Sequence, residues 1–111
     1  RVSSDLRIIY EYVTHDGRNH FREWFDSLSD VQAQIKTDVR IARIRLGNFG
    51  DAKSVGKGVY ELRIDFGPGY RIYYGLEGIN IVFLLCAGDK SSQKKDIKKA
   101  HTFWQNHTGG E

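Results

Sequence analysis

Two segments, Val59-Tyr-Glu-Leu-Arg-Ile64 and Tyr70-Arg-Ile-Tyr-Tyr74, alternate residue by residue across Gly67-Pro-Gly69. Alternation at period two marks strands with two unlike faces, and the Gly-Pro-Gly link marks a turn between them. If Phe66 lies opposite Tyr70, then Asp65 lies opposite Arg71, Arg63 opposite Tyr73 and Glu61 opposite Gly75. Parity puts Tyr60, Leu62, Ile64, Tyr70, Ile72 and Tyr74 on one face and Glu61, Arg63, Asp65, Arg71 and Tyr73 on the other. The first face is the expected core. The second is left for chemistry or solvent, and its charges also suit a cross-strand ladder of ion pairs on a wet sheet.

The rest of the chain supplies elements to cover that core. Leu6 to Val13 places Leu6, Ile8, Tyr10 and Tyr12 at period two and reads as a strand. Phe21, Trp24, Phe25 and Leu28 follow the i, i+3, i+4, i+7 spacing of an amphipathic helix. Ser29-Asp-Val-Gln32 has the form of a capping box for a second helix, with Val31, Ile35, Val39, Ala42 and Leu46 as its inward stripe and Gly47 as its stop. Ile79 to Ala87, apolar on both faces, reads as an interior strand reached by a tight turn at Glu77-Gly78. That turn puts Lys90 about six residues beyond the strand partner of Arg71, roughly 20 Å along a straight strand, so the Gly88-Asp89 loop has to bend back for the two to meet. Ser91 or Ser92 then caps a last helix with Ile97, Ala100 and Trp104 inward. The expected class is α+β, in the order strand, helix, helix, three antiparallel strands, helix, with helices on the Tyr60/Leu62 face.

At 111 residues this is expected to be one domain, spanning 1–111. The single Cys86 excludes an internal disulfide framework and points to a reducing, cytoplasmic setting. No apolar run approaches the roughly 18 residues of a membrane span, and Arg1-Val-Ser-Ser-Asp5 lacks the apolar stretch of a signal peptide. Charge is unevenly placed: Asp89 to Lys99 holds five Lys against two Asp and so carries as much as the formal +3 of the whole chain. Such an edge suits a polyanion. The four histidines have no metal-ligand spacing, and Val55-Gly-Lys-Gly58 lacks the first glycine and the hydroxyl residue of a phosphate loop.

Gly58-Val-Tyr-Glu-Leu-Arg-Ile64, Gly67-Pro-Gly-Tyr-Arg-Ile-Tyr-Tyr74, and Gly88-Asp-Lys-Ser-Ser-Gln93 with Asp96-Ile-Lys-Lys-Ala100 resemble the RelE/ParE toxin superfamily. Within it they are most similar to the phage-derived, HigB-like killer proteins of addiction modules, and Phe-x-x-Trp-Phe-x-x-Leu at Phe21 to Leu28 fits the same pattern. The resemblance implies a RelE-like fold: an antiparallel twisted sheet with an N-terminal helical hairpin on one face and a C-terminal helix. It implies an endoribonuclease that cuts mRNA in the ribosomal A site without metal or other cofactor. Its partners are then the ribosome, mRNA and a helix-turn-helix antitoxin of the HigA kind, which alone contacts operator DNA; no membrane is involved.

Such cleavage has the 2′-hydroxyl attack its own phosphodiester, which requires a base, a cation for the phosphorane charge and a donor for the leaving 5′-oxygen. On the resemblance, Glu61 supplies the carboxylate, Arg63 and Arg71 the guanidinium forks, and Lys90 the leaving-group proton. Tyr73 offers a surface for a base, and Lys57, Lys94 and Lys95 offer further substrate contacts. The RelE archetype has lysines where this chain has Glu61 and Arg63, and a tyrosine where it has Asp96. Its general-base assignment therefore does not carry over, and Glu61 either deprotonates the 2′-hydroxyl or positions it. Two alternatives remain at this level: a ParE-like toxin that poisons DNA gyrase by binding, and a nucleic-acid-binding module without activity.

Overall fold

The computed structural model describes residues 6–109, so the opening Arg1 to Asp5 lies outside the described residues. In chain order the elements are β1 (Ile8–Glu11), α1 (His20–Ser27), α2 (Val31–Arg45), β2 (Ala52–Gly56), β3 (Val59–Ile64), β4 (Tyr70–Glu77), β5 (Ile81–Asp89), a 3-10 turn (Lys90–Ser92) and α3 (Gln93–Thr108). The five strands form one sheet in the order β1-β5-β4-β3-β2. The class is α+β, but the sheet is mixed rather than antiparallel throughout, because β1 runs parallel to β5. Short turns force neighbouring strands to reverse, whereas the long excursion between β1 and β5 leaves their relative direction free.

β2 carries no alternating signal. As an edge strand it pairs on one side only and half-buries just Ala52 and Val55, so its sequence need not be apolar.

The β3–β4 ladder pairs Ile64 with Tyr70, Arg63 with Arg71 and Glu61 with Tyr73. This corrects the expected register by two residues: Asp65 and Phe66 leave the ladder and join the turn, where the Gly69 amide donates to the Phe66 carbonyl. A two-residue shift keeps parity, so the residues that stay in the ladder keep their faces.

The helices correct the reading more deeply. The α2 cap is Asp30, whose side chain accepts from the Gln32 amide, rather than Ser29. Its inward face is Ala33, Thr37 and Ile44, with Ile41 half-buried against the same core. The expected stripe of Val31, Ile35, Val39, Ala42 and Leu46 points to solvent, with Val31 64% and Leu46 70% exposed. Both stripes have helical spacing and lie on opposite sides of the helix, so periodicity does not choose between them. Arg40 fixes the choice from the inner side, its guanidinium donating to the carbonyls of Arg63 and Phe49.

The sheet is covered on both faces. One core joins Phe21 and Ile44 of the helical hairpin to Leu62, Ile64, Ile72 and Leu84. The other joins Ala100 and Trp104 of α3 to Val59, Tyr73, Leu85 and Cys86. The last helix therefore lies across the face expected to be wet, because its own apolar stripe has no other surface to bury against. No helix among the described residues is long and apolar enough to cross a membrane.

Leu62→Ala is expected to lower unfolding stability by about 2–5 kcal/mol, whereas Ile35→Ala on the outer stripe of α2 should stay within about 0.5 kcal/mol. Urea titrations of the two variants check this, and a reversed order would contradict the orientation of α2.

Candidate active site

Placing α3 on the Glu61 face converts an exposed carboxylate into a buried one. Glu61 is 0% exposed. Its Oε2 accepts from the Tyr73 hydroxyl at 3.0 Å and from Gln93 Nε2 at 2.8 Å, with Arg71 Nε at 3.6 Å. Oε1 and Arg71 Nε have no hydrogen-bond partner. Tyr73 is likewise fully buried. Burial and the neighbouring carboxylate raise its phenol pKa, so the hydroxyl stays a donor. The structure thus corrects the exposed stacking surface expected at Tyr73, since no face of that ring reaches solvent.

Arg71 links this buried cluster to the surface. It stands opposite Arg63 on β3 and Gly88 on β5, and its Nη1 donates to the Gly69 carbonyl at 2.8 Å. Like charges opposite one another repel; Glu61 lies below Arg71, and Asp51 sits 3.6 Å from Arg63. Arg63, Arg71, Asp51, Asp65, Gly69 and Tyr70 line a groove of about 280 Å³. The groove thus sets two guanidiniums beside two carboxylates, and a guanidinium fork is suited to planar, two-pronged contact with phosphate oxygens.

Gly88 and Asp89 belong to β5, so Lys90 comes to the 67–69 turn through strand register rather than through a loop that bends back. The β4–β5 turn runs through residues 78–80, because Glu77 pairs with Ile81, and a bulge at Tyr73/Tyr74 places an extra residue in β5. Together these slide β5 so that Gly88 faces Arg71 and Asp89 faces Tyr70. Lys90 follows directly. A Cβ on Gly69, whose φ is +79°, would lie 3.2 Å from Arg71 Nη1 and 3.9 Å from Lys90 Cβ, so this glycine lets the turn fit between the two cations. Asp89 turns the chain there, accepting from the Ser91 amide at 2.8 Å and the Ser91 hydroxyl at 2.5 Å. These bonds, the hydroxyl's foremost, hold its carboxyl below the usual range.

Gly88 sets how closely α3 can start. A Cβ there would fall 1.9 Å from Asp96 Oδ2, which accepts from the Ser92 hydroxyl at 2.5 Å. Asp96 is thus part of the buried joint between β5 and α3.

The family model described as Phage derived protein Gp49-like matches residues 23–104. The chain belongs to the Gp49-like family. That family consists of addiction-module proteins related to the RelE-like toxins. An uncharacterized protein of Haemophilus influenzae is 51% identical over 80 residues, covering 72% of this chain and 81% of the relative.

The Gp49-like match takes in every residue of the corner just described, but the corner gathers only part of what the sequence nominated. Arg63 and the nearly buried Arg71 share one groove, Lys90 starts beside Arg71 across Gly69, and Glu61 lies beneath Arg71. Lys94 and Lys95 lie exposed on the first turn of α3, beside Lys90 on a basic shelf. Lys57 does not join them: it sits at the β2–β3 turn with φ +55°, six residues from Arg63 and thus about 20 Å along β3. Gln93 and Asp96 are the residues that pattern reading missed as partners, although both stand in the motifs quoted from the sequence. Cys86 is buried, its thiol pushed up to about 12 by burial foremost, and it is no nucleophile at neutral pH.

Glu61→Ala is expected to cost about 3–5 kcal/mol, the scale for removing one partner of a buried ion pair. Urea unfolding measures it, and a loss under about 1 kcal/mol would contradict the anchoring role of this carboxylate.

Proposed function

We propose that this Gp49-like chain is the toxin of a two-component addiction module and acts as a ribosome-dependent mRNA endonuclease. The observation that carries the reading is the corner where Arg63 and Arg71 share a groove, with Lys90 across Gly69 and a buried carboxylate beneath Arg71. The attacking 2′-hydroxyl gives its proton to solvent water and closes a ring on its own phosphodiester, and charge builds on the non-bridging oxygens of the phosphorane. Arg71, with Arg63 beside it, faces those oxygens. Lys90 donates a proton to the departing 5′-oxygen, leaving a 2′,3′-cyclic phosphate. Glu61 is closed to solvent, so its role is to position Arg71 through the 3.6 Å ion pair rather than to touch substrate.

The proposed antitoxin has a separate support. Val31, Ile35, Val39 and Leu46 form an exposed apolar stripe with the exposed cations Lys36, Arg43 and Arg45 along its borders against a single Asp38. Contiguous exposed apolar surface of this kind marks interaction sites. Its occupant is an amphipathic, acid-bordered helix of the antitoxin, matched in both apolar face and charge.

Arg71→Lys keeps a buried cation but loses the fork, and is expected to lower cleavage at least about 10-fold while unfolding stays near that of the parent. Arg71→Ala should lose about 10² to 10³ in rate. Mapping mRNA 5′ ends after induced expression checks both: the parent gives codon-phased cuts with 2′,3′-cyclic or 3′-phosphate ends. Ends with a 3′-hydroxyl, or intact mRNA accompanied by double-strand DNA breaks, would overturn the endonuclease reading.

Val39→Asp should leave the isolated toxin folded and active and abolish its silencing by the co-expressed antitoxin. Undiminished co-purification of that variant with the antitoxin would remove the α2 face from the interface.

A further inference from the structure

A second groove, lined by Tyr70, Asp89, Lys95 and Lys99, lies between the 67–69 turn, the end of α1 and the start of α3, and Tyr70 borders both it and the groove at Arg71. At Lys99 this groove meets a third one, lined by Tyr12, His20, Phe103, Asn106 and Asp16 as well as Lys99. Lys95, Lys99, Phe103 and Asn106 recur at i, i+4, i+8 and i+11 on α3, so they form one strip along the helix. From Lys95 to Phe103 that strip extends about 12 Å.

The far end has the chemistry of a base site. The Phe103 ring lies 4.8 Å from the His20 ring and 5.5 Å from the Tyr12 ring, which places three half-buried aromatic groups around one opening. Burial, with Arg18 and Lys99 nearby, lowers the His20 pKa and favours the neutral imidazole, which stacks without charge. Asn106 and Asp16 at the rim supply a donor and acceptors for a base edge.

We infer that the trough along α3 is a second subsite for single-stranded RNA, in which Lys95 and Lys99 follow the phosphate backbone away from the cleavage corner and the Tyr12/His20/Phe103 cluster stacks a base. Cations along a groove that ends in aromatic faces are the pattern by which proteins hold single strands. An acidic peptide would use the lysines and leave the rings without a partner, which favours nucleic acid. The inference rests on the proposed action on RNA, and it fixes where the strand leaves the corner.

The test is binding rather than cleavage. The purified full chain is titrated into a fluorescently labelled eight-nucleotide 2′-O-methyl RNA, which lacks the attacking hydroxyl, and anisotropy is read over a range of salt. Phe103→Leu keeps an apolar side chain but removes the π-face, and is expected to weaken binding on the order of 5- to 100-fold. Lys99→Gln should reduce the slope of log affinity against log salt by about 0.7, the release expected for one single-strand phosphate contact. Lys53→Gln on β2 should bind like the parent. Thermal melts establish that each variant is folded. Parent-like affinity in folded Phe103→Leu together with an unchanged salt slope in Lys99→Gln would overturn the inference, as would both variants losing only a Glu/Asp-rich peptide and not the oligonucleotide. If these variants lose the oligonucleotide while the parent cuts no mRNA, the subsite stands and the endonuclease reading falls. Phased cleavage by the parent, with Phe103 and Lys99 variants that bind the oligonucleotide unchanged, keeps the endonuclease and removes the subsite.

Discussion

The carboxylate of Glu61 is the constraint on which the rest of the arrangement depends. A buried anion is expensive unless its charge and lone pairs are engaged, and Glu61 is engaged from two elements: Tyr73 and Arg71 on β4 and Gln93 at the start of α3. Those contacts tie two adjacent strands to the helix that covers them. They also settle the conformation of Arg71, which is nearly buried and receives its counter-charge from below while its Nη1 is held by the Gly69 carbonyl. A guanidinium fixed in this way loses little rotamer freedom on meeting a phosphate, so more of its interaction is available to a transition state. Glu61 Oε1 and Arg71 Nε remain without hydrogen-bond partners, an incomplete satisfaction that sets this cluster apart from the apolar core around it.

The covering of the sheet divides one face into two kinds of surface. α3 begins at the Glu61 end of the strands and runs toward Trp104, burying Val59, Tyr73 and Leu85 beneath it. Arg63 escapes this cover, and Arg71, though nearly buried, borders the same groove, because both lie at the end of the strands beside the 67–69 turn. The candidate chemistry is therefore confined to a corner built from turns and strand ends, while the middle of the same face is packing. Glycine makes that corner compact: Gly88 admits Asp96, and Gly69 separates Arg71 from Lys90 by no more than its own backbone.

Alternation along β3 and β4 sorts the residues correctly between faces even though it misplaces their register, because a shift of two leaves every side chain that stays in the ladder where parity puts it. The β4–β5 register is illegible for a related reason. Turn length and a bulge each move β5 past β4, and neither the turn at 78–80 nor the bulge at Tyr73/Tyr74 has an unambiguous sequence mark. On α2 the pattern holds two helical stripes, and the larger, β-branched one reads as the core side. The smaller one wins because Ala33 and Thr37 allow close approach and Arg40 reaches two sheet-side carbonyls only from that face. Arg63, Arg71 and Lys90 are legible as a cationic set from residue type and motif. The burial of Glu61 and Tyr73 is not, since it depends on which face α3 takes.

By itself the sequence determined the α+β class, the presence of three helices, the parity of the central hairpin and the cationic residues at its end. These follow from local spacing and side-chain chemistry. Only the tertiary structure decided that β1 pairs in parallel with β5, that α2 turns its larger apolar stripe outward, that α3 seals Glu61 and Tyr73, and that Lys90 meets Arg71. Each of these depends on how distant segments share one limited area of apolar sheet, a competition that no local pattern records.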